Sequence, residues 1–210
     1  MLIDYINEAL KLGKKNRITR IPESKKQLIE MIKEIIERDG NEANLNIIDV
    51  SKIDDFEYLF SSDKKGYGLQ DFNGDISNWN VTNVKSFNSM FFGSKFDGDL
   101  SKWDVSNAET MQGMFADAEF TGNKGNIENW DVSKAENLSY MFNYSKLKHN
   151  VNKWKPKSAK TVQMMFANCY DIKGLDLSNW KLRRKCEMKD IFENNPIEAD
   201  YEKYPTETIL

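Results

Sequence analysis

One pattern of apolar and polar positions recurs along most of the chain. In each copy a tryptophan is followed after 11 residues by a methionine or isoleucine, and a phenylalanine comes next. The tryptophans lie 24, 27, 24 and 26 residues apart, so the spacing varies between copies and is constant within them. This pattern is typical of a repeat protein. The tryptophans and phenylalanines of the five copies are Trp79, Trp103, Trp130, Trp154 and Trp180, and Phe91, Phe115, Phe142, Phe166 and Phe192.

Each copy predicts a short strand that ends at the tryptophan and a short helix after it. In residues 96–118 the predicted strand is Asp99 to Trp103, and Ser106 is expected to cap the helix, with Glu109 completing an S-x-x-E capping box. A neighbouring copy must cover the apolar face of such a unit. We therefore predict an α/β repeat solenoid that is leucine-rich-repeat-like, with short parallel strands and one short helix per coil.

The N-terminal region predicts an α-helical cap on this solenoid. Residues 1–20 indicate a short amphipathic helix, and a second one is expected between an N-cap at Ser24 and a stop at Gly40. We assign residues 1–44 to the cap, 45–195 to about six coils with a degenerate first one, and 196–210 to a C-terminal cap or tail. A membrane-surface helix is the alternative for the second helix, but its polar face mixes acidic and basic residues.

The composition indicates in which cellular compartment the protein is located. The 210 residues are 30% charged, and no apolar run approaches the roughly 20 residues of a membrane-spanning helix. Asp4 and Glu8 interrupt the segment where a signal peptide needs an apolar core. We expect a cytoplasmic protein, or a cell-surface one if an export signal was removed. Two cysteines, Cys169 and Cys186, are too few for a disulfide scaffold.

The repeat motif resembles that of a known family. Residues 72–79 read FNGDISNW, and the pattern G-D-[IL]-S-x-W-[DN]-V-[ST]-N, with M-F at a constant distance, is similar to the BspA-like leucine-rich repeat family of bacterial surface and secreted proteins. The resemblance covers about residues 45–195. It implies a curved solenoid that binds other macromolecules without enzymatic activity, and it carries over no catalytic or metal residues. The short chain without a visible export signal departs from the family and argues against an adhesin role.

Motifs of enzymes and metal sites are missing from the sequence. There is one histidine, His149, and we find no nucleophile motif, glycine-rich phosphate loop or pair of metal-ligand motifs. Asp97-Gly98-Asp99 supplies too few oxygens for calcium, and its glycine is explained by a corner before the strand. We expect no enzymatic activity, no cofactor and no metal.

Charge is segregated along the chain, although the net charge is only -3. Residues 71–137 contain 11 acidic and 5 basic residues, whereas residues 138–190 contain 12 basic and 4 acidic ones. Coils stacked about 4.8 Å apart would bring the basic residues of the last two coils onto one edge, where like charges repel. A docking site explains that arrangement, and a solvated face is the alternative. The predicted binding residues are Lys153, Lys155, Lys157, Lys181, Arg183 and Arg184.

Together these observations favour a monomeric, non-enzymatic protein–protein interaction module without a membrane partner. Its strand-lined face and basic edge would recognise another protein or a nucleoprotein. An intracellular adaptor or an inhibitor, for example one encoded by a phage or another mobile element, has these properties. The alternatives are a solenoid that binds nucleic acid directly and a surface adhesin of the BspA-like type.

Overall fold

The structure, a computed structural model, describes residues 20–196 and 204–207. Regular secondary structure in these residues is limited to one helix, α1 (Lys25–Asp39), and two strands of two residues each, β1 (Lys181–Leu182) and β2 (Thr206–Glu207). The two strands pair in parallel, with Lys181 opposite Thr206. Turns and loops make up most of the described chain.

The predicted α/β repeat solenoid is therefore wrong. None of the described coils contains a helix, and the segment predicted as a strand, residues 99–103, is closed by a turn instead. In that turn the N–H of Trp103 donates to the carbonyl of Leu100 at 3.1 Å. The described coils before β1 contain no strands, so they do not form the predicted strand-lined recognition face.

The predicted capping box is also not formed. The N–H of Ser106 donates to the carboxylate of Asp104 at 3.0 Å, which makes a turn and not the start of a helix. The N–H of Glu109 donates to the carbonyl of Lys85 in the preceding coil at 2.8 Å. Glu109 thus helps to join two coils.

Left-handed backbone explains why the helical spacing of apolar residues builds no helix. The residue two positions before the phenylalanine has a φ between 50° and 59° in every coil. A right-handed helix needs negative φ throughout, so each of these residues interrupts it. The residues are Tyr58, Ser89, Gly113, Tyr140, Met164 and Asp190.

Backbone hydrogen bonds join each coil to the next. In residues 87–93 the N–H groups of alternate residues, beginning with Phe87 and Ser89, donate to carbonyls of the following coil at 2.8–2.9 Å. Between them, the N–H groups of Met90 and Phe92 donate within the coil, to the carbonyl three residues earlier, and that of Asn88 donates to the hydroxyl oxygen of Ser86. Isolated parallel bridges continue this pairing through Asp55, Ser86, Thr110, Asn137, Thr161 and Glu187. The repeats are therefore stacks of turns.

The apolar positions of the repeats form one continuous core. Phenylalanine rings of successive coils stack from Phe60 to Phe192, with centroids 5.5–6.0 Å apart. Trp79 stacks on Trp103 at 6.4 Å, and further along Trp130, Trp154 and Trp180 stack at 6.2 and 6.4 Å. Each buried ring contributes roughly 1.5–3 kcal/mol, and the adjacent coils supply the surface that covers it.

Helix α1 packs at the start of the stack. Ser24 is its N-cap and Gly40 its C-cap, as the sequence predicts. Leu28, Ile32 and Ile35 are buried in the common core. Lys25 and Glu23 form ion pairs with Asp55 and Lys52 at 2.9 and 2.5 Å, which ties the helix region to the first coil. The helix predicted in residues 1–20 lies outside the described residues except for Arg20.

The C-terminal residues that the structure describes lie against the last coil. Tyr204 packs edge-on against Phe192 with ring centroids 4.6 Å apart, and β2 extends along β1. Pro205 is buried. The remainder of the predicted C-terminal cap or tail, residues 197–203 and 208–210, lies outside the described residues.

Candidate functional site

The residues that directly follow the stacked tryptophans, with Ile48 taking the tryptophan position in the first coil, define an edge of the stack. We call it the post-tryptophan edge. From the first coil to the last it consists of Asp49, Asn80, Asp104, Asp131, Lys155 and Lys181. Its polarity thus changes from acidic or neutral to basic within one chain.

In the first four coils this residue stabilises the turn that follows it. The carboxylate of Asp104 accepts a hydrogen bond from the N–H of Ser106 at 3.0 Å, and Asp131 accepts one from Ser133 at 2.9 Å. Hydrogen bonds from the serine side chain and backbone lower the pKa of both carboxyls. The same bond joins Asn80 to Thr82 and Asp49 to Ser51. The local requirement at this position is therefore an oxygen acceptor.

The last two coils lack that acceptor. Lys155 is followed by Pro156, and the N–H of Lys157 donates to the backbone carbonyl of Lys155 at 2.8 Å. A lysine side chain has no lone pair for the turn when it is protonated. The turn therefore does not account for the lysine side chains at this edge.

Three of the six predicted site residues line one groove. Lys153, Lys155 and Lys157 surround a space of about 330 Å³ next to Trp130 and Asp131. Lys153 forms an ion pair with Glu128 at 3.0 Å. The positive charges of Lys134 and Lys157 add to the serine hydrogen bonds that lower the pKa of Asp131. The groove thus has cationic and anionic sides.

The other three predicted residues lie on the next coil. Lys155 and Lys181 follow Trp154 and Trp180, whose rings stack at 6.4 Å. Lys181 belongs to β1, so its backbone is paired with β2. Arg183 and Arg184 come directly after β1 and are exposed. The structure therefore brings the six residues onto two adjacent coils. Only Lys153, Lys155 and Lys157 share the groove.

Positive charge at this edge is not balanced within the described residues. Two lysines of nearby positions outside it are paired, since Lys146 contacts Glu119 and Lys160 contacts Glu136. The exposed Lys155, Lys157, Arg183 and Arg184, by contrast, form no ion pair with any part of the chain that the structure describes. We call these four residues the cationic edge.

Sequence reasoning missed a second groove, which lies beside the phenylalanine positions. It encloses about 400 Å³ and is lined by Phe92, Ala116, Asp117, Asn143 and Tyr144. We call it the Tyr144 groove. The available signal was the position two residues after each phenylalanine, where Gly93, Asp117, Asn168 and Asn194 are small or polar and Tyr144 is aromatic.

Other candidate residues have structural contacts. The Nε2 atom of His149 lies 3.2 Å from Oδ1 of Asn123. Burial raises the pKa of Cys169 to about 11, so this thiol stays protonated at neutral pH. The carboxylate of Asp97 accepts hydrogen bonds from Thr121 at 2.7 and 2.8 Å. Across residues 20–196 and 204–207 there is no group of three or more metal-ligating side chains.

Comparison with known proteins places the chain in a family. Residues 26–125 and 120–204 match the model of a family described as "Mycoplasma protein of unknown function, DUF285". The chain belongs to this family. That description assigns the family no activity or partner. No curated protein and no solved structure matches the chain. The described residues include no helix with the length and apolar character needed to cross a membrane.

Proposed function

We propose that the protein is a non-enzymatic protein-binding module that docks an acidic surface of a partner protein on its cationic edge. The observation that carries the proposal is that Lys155, Lys157, Arg183 and Arg184 are exposed on two adjacent coils and lack ion-pair partners within the described residues, whereas Lys146, Lys153 and Lys160 have them. Exposed charges of one sign on adjacent coils repel each other. An acidic partner would relieve that repulsion and be attracted over a distance.

The turns of the fold support the same proposal. An aspartate or asparagine at the post-tryptophan edge stabilises the turn in four coils, and the last two coils carry lysine there instead. A position at which the chain gives up a side-chain acceptor for the turn is a candidate for function, because the turn itself gains nothing from a lysine there.

An acidic protein surface accounts for the charge pattern better than nucleic acid does. The positive charges cover the last two coils. The two coils before these carry Asp104 and Asp131 at the same edge. A nucleic-acid backbone carries a charge at every phosphate, so its continuation along the edge would meet these carboxylates. A protein partner can present a short acidic surface that ends where the basic residues end.

The test is affinity capture with a charge-reversed variant. In this variant Lys155, Lys157, Arg183 and Arg184 are replaced by Glu, and we expect it to lose the partner that the original chain captures from the source cell. The matched control replaces Lys33, Lys64, Lys102 and Lys124, all exposed and remote in sequence from the cationic edge, by Glu. Both variants have the same net charge, and the control should capture the partner.

Three outcomes separate the alternatives. Equal capture by both variants would mean that the cationic edge only solubilises the protein. A fall in the thermal midpoint of the edge variant alone would point to a structural role, whereas we expect almost no change because the side chains are exposed. Binding of generic duplex DNA or RNA at low salt, falling steeply as salt rises, would favour the nucleic-acid function instead.

A further inference from the structure

Tyr144 has a backbone conformation that its side chain does not explain. The position two residues after the phenylalanine has a φ of 54–60° in five coils, where it is occupied by Gly93, Asp117, Tyr144, Asn168 and Asn194. Glycine, asparagine and aspartate tolerate this left-handed region, and a bulky aromatic residue is an outlier there. At this position a bulky residue occurs in one coil only, and such strain is a reason to look for function.

Packing does not offset that strain. The side chain of Tyr144 is 59% exposed. Two other tyrosines with positive φ, Tyr58 and Tyr140, are half-buried, so they gain contacts that Tyr144 lacks. An exposed ring in an unfavourable backbone conformation gives the folded chain little, which leaves contact with another molecule as its use.

The surroundings of Tyr144 define the chemistry of that molecule. The N–H of Asp117 donates to the carbonyl of Asn143 at 2.8 Å, and this bond holds the two neighbouring coils in register. Asp117 is exposed and forms no ion pair within the described residues, and it lines the Tyr144 groove together with Tyr144 and Phe92. A carboxylate beside two aromatic rings attracts a cation, and an arginine guanidinium can both stack on a ring and form two hydrogen bonds with a carboxylate.

We infer that the Tyr144 groove docks an arginine side chain of a partner polypeptide. The guanidinium pairs with the carboxylate of Asp117, and its stem and planar face lie against Tyr144 and Phe92. The groove volume of about 400 Å³ lies in the range of roughly 300–1,000 Å³ that is typical of ligand sites. The protein thus has two recognition surfaces of opposite charge, the cationic edge and the Tyr144 groove.

The test uses a small peptide as the probe. The ¹⁵N-labelled protein is titrated with acetyl-Gly-Arg-Gly-amide, with its citrulline analogue as an uncharged isostere and its lysine analogue as a second cation. We expect saturable shifts of the amide signals of Asp117, Asn143 and Tyr144 with the arginine peptide. The dissociation constants of the other two peptides should be at least tenfold higher. Equal binding of the citrulline or the lysine peptide would overturn the arginine assignment.

Variants separate binding from folding. Tyr144→Asn copies the residue found at Asn168, so it should relieve the strain, raise the thermal midpoint and weaken arginine-peptide binding at least tenfold. Asp117→Asn should weaken binding to a similar extent. Tyr170→Asn is the matched control, since Tyr170 is 62% exposed and does not line the groove. Unchanged binding in Tyr144→Asn, or a loss in Tyr170→Asn as large as in Tyr144→Asn, would overturn the inference.

The two recognition surfaces can be tested separately. The four-residue Glu variant of the cationic edge should bind the arginine peptide at the Tyr144 groove at least as well as the original chain does. Loss of peptide binding in that variant would contradict the placement of the peptide at Tyr144.

Discussion

The indole Nε1 of Trp103 donates a hydrogen bond to the backbone carbonyl of Ile76 at 3.1 Å, and this bond joins a buried ring to the preceding coil. The equivalent bonds from Trp79, Trp130 and Trp154 measure 2.9–3.0 Å. Trp180 differs, because its Nε1 is buried without a hydrogen-bond partner in the part of the chain that the structure describes. The repeat thus contains the same side chain with and without its hydrogen bond.

Replacing Trp103 and Trp180 by phenylalanine in separate variants should measure how much the indole hydrogen bond contributes to the stability of the fold. We expect Trp103→Phe to lower the free energy of unfolding by about 1–3 kcal/mol more than Trp180→Phe, because the first change removes a buried hydrogen bond and the second removes a buried N–H group that has no partner in the described residues. Both changes remove a similar volume, so the cavity terms largely cancel. Chemical denaturation of the two variants gives the difference, and equal losses would show that the indole bond contributes nothing.

At the left-handed position two residues before each phenylalanine, removing a glycine and introducing one should change stability in opposite directions. Gly113 and Ser89 are equivalent, with φ values of 58° and 50°. Gly113→Ala should lower the free energy of unfolding by about 1 kcal/mol, since a Cβ atom disfavours this conformation. The new Cβ would lie 3.4 Å from the Ser89 hydroxyl oxygen, which is ordinary contact, so steric overlap does not confuse the result.

Ser89→Gly should shift stability in the other direction, by a smaller amount because glycine also increases the freedom of the unfolded chain. Thermal unfolding of the two variants checks both signs. Destabilisation by both substitutions to a similar extent would mean that the conformational preference at this position does not control stability.

Acid should destabilise the acidic part of the post-tryptophan edge. Hydrogen bonds from Ser106 and Ser133 lower the pKa of Asp104 and Asp131 below the ordinary value of 3.8. A lowered pKa in the folded state means that the stabilisation is complete above the unfolded value and is lost as pH falls through the folded value. The thermal midpoint should therefore drop below about pH 4.

The double variant Asp104→Asn and Asp131→Asn isolates these two groups. Asparagine keeps the oxygen acceptor, as Asn80 does for Thr82 at 3.2 Å, but it does not titrate. The variant should lose less stability than the original chain between about pH 5 and about pH 2.5, a range of about 2.5 units that spans the ordinary carboxyl value. An unchanged pH profile would assign the acid sensitivity to other carboxylates.

Much of the packing could be predicted from the sequence, whereas the local backbone could not. The constant distance from Trp103 to Phe115 within a copy places equivalent rings in equivalent positions, and the rings stack accordingly. The same spacing also predicted a helix after Ser106, and that was wrong. Only Gly113 and Asp190 among the six left-handed positions are residue types that tolerate positive φ, so the interruption was hidden at the other four.

The candidate sites show the same division. Lys155 and Lys181 were predicted to share an edge because both follow a tryptophan, and stacking of those two rings puts them on adjacent coils. Which lysines are paired depends on the positions of Glu119, Glu128 and Glu136 in neighbouring coils, which no local pattern reveals. The Tyr144 groove was missed because its lining comes from three coils.

The sequence by itself determined which side chains are buried and which positions are equivalent, because burial follows the periodic placement of apolar residues. Only the tertiary structure decided how the backbone runs between them. Its N–H groups can bond within a coil or across to the next one, and the apolar spacing is compatible with both. Stacking makes the bonds across coils available, and with them come the left-handed turns and the grooves on the surface.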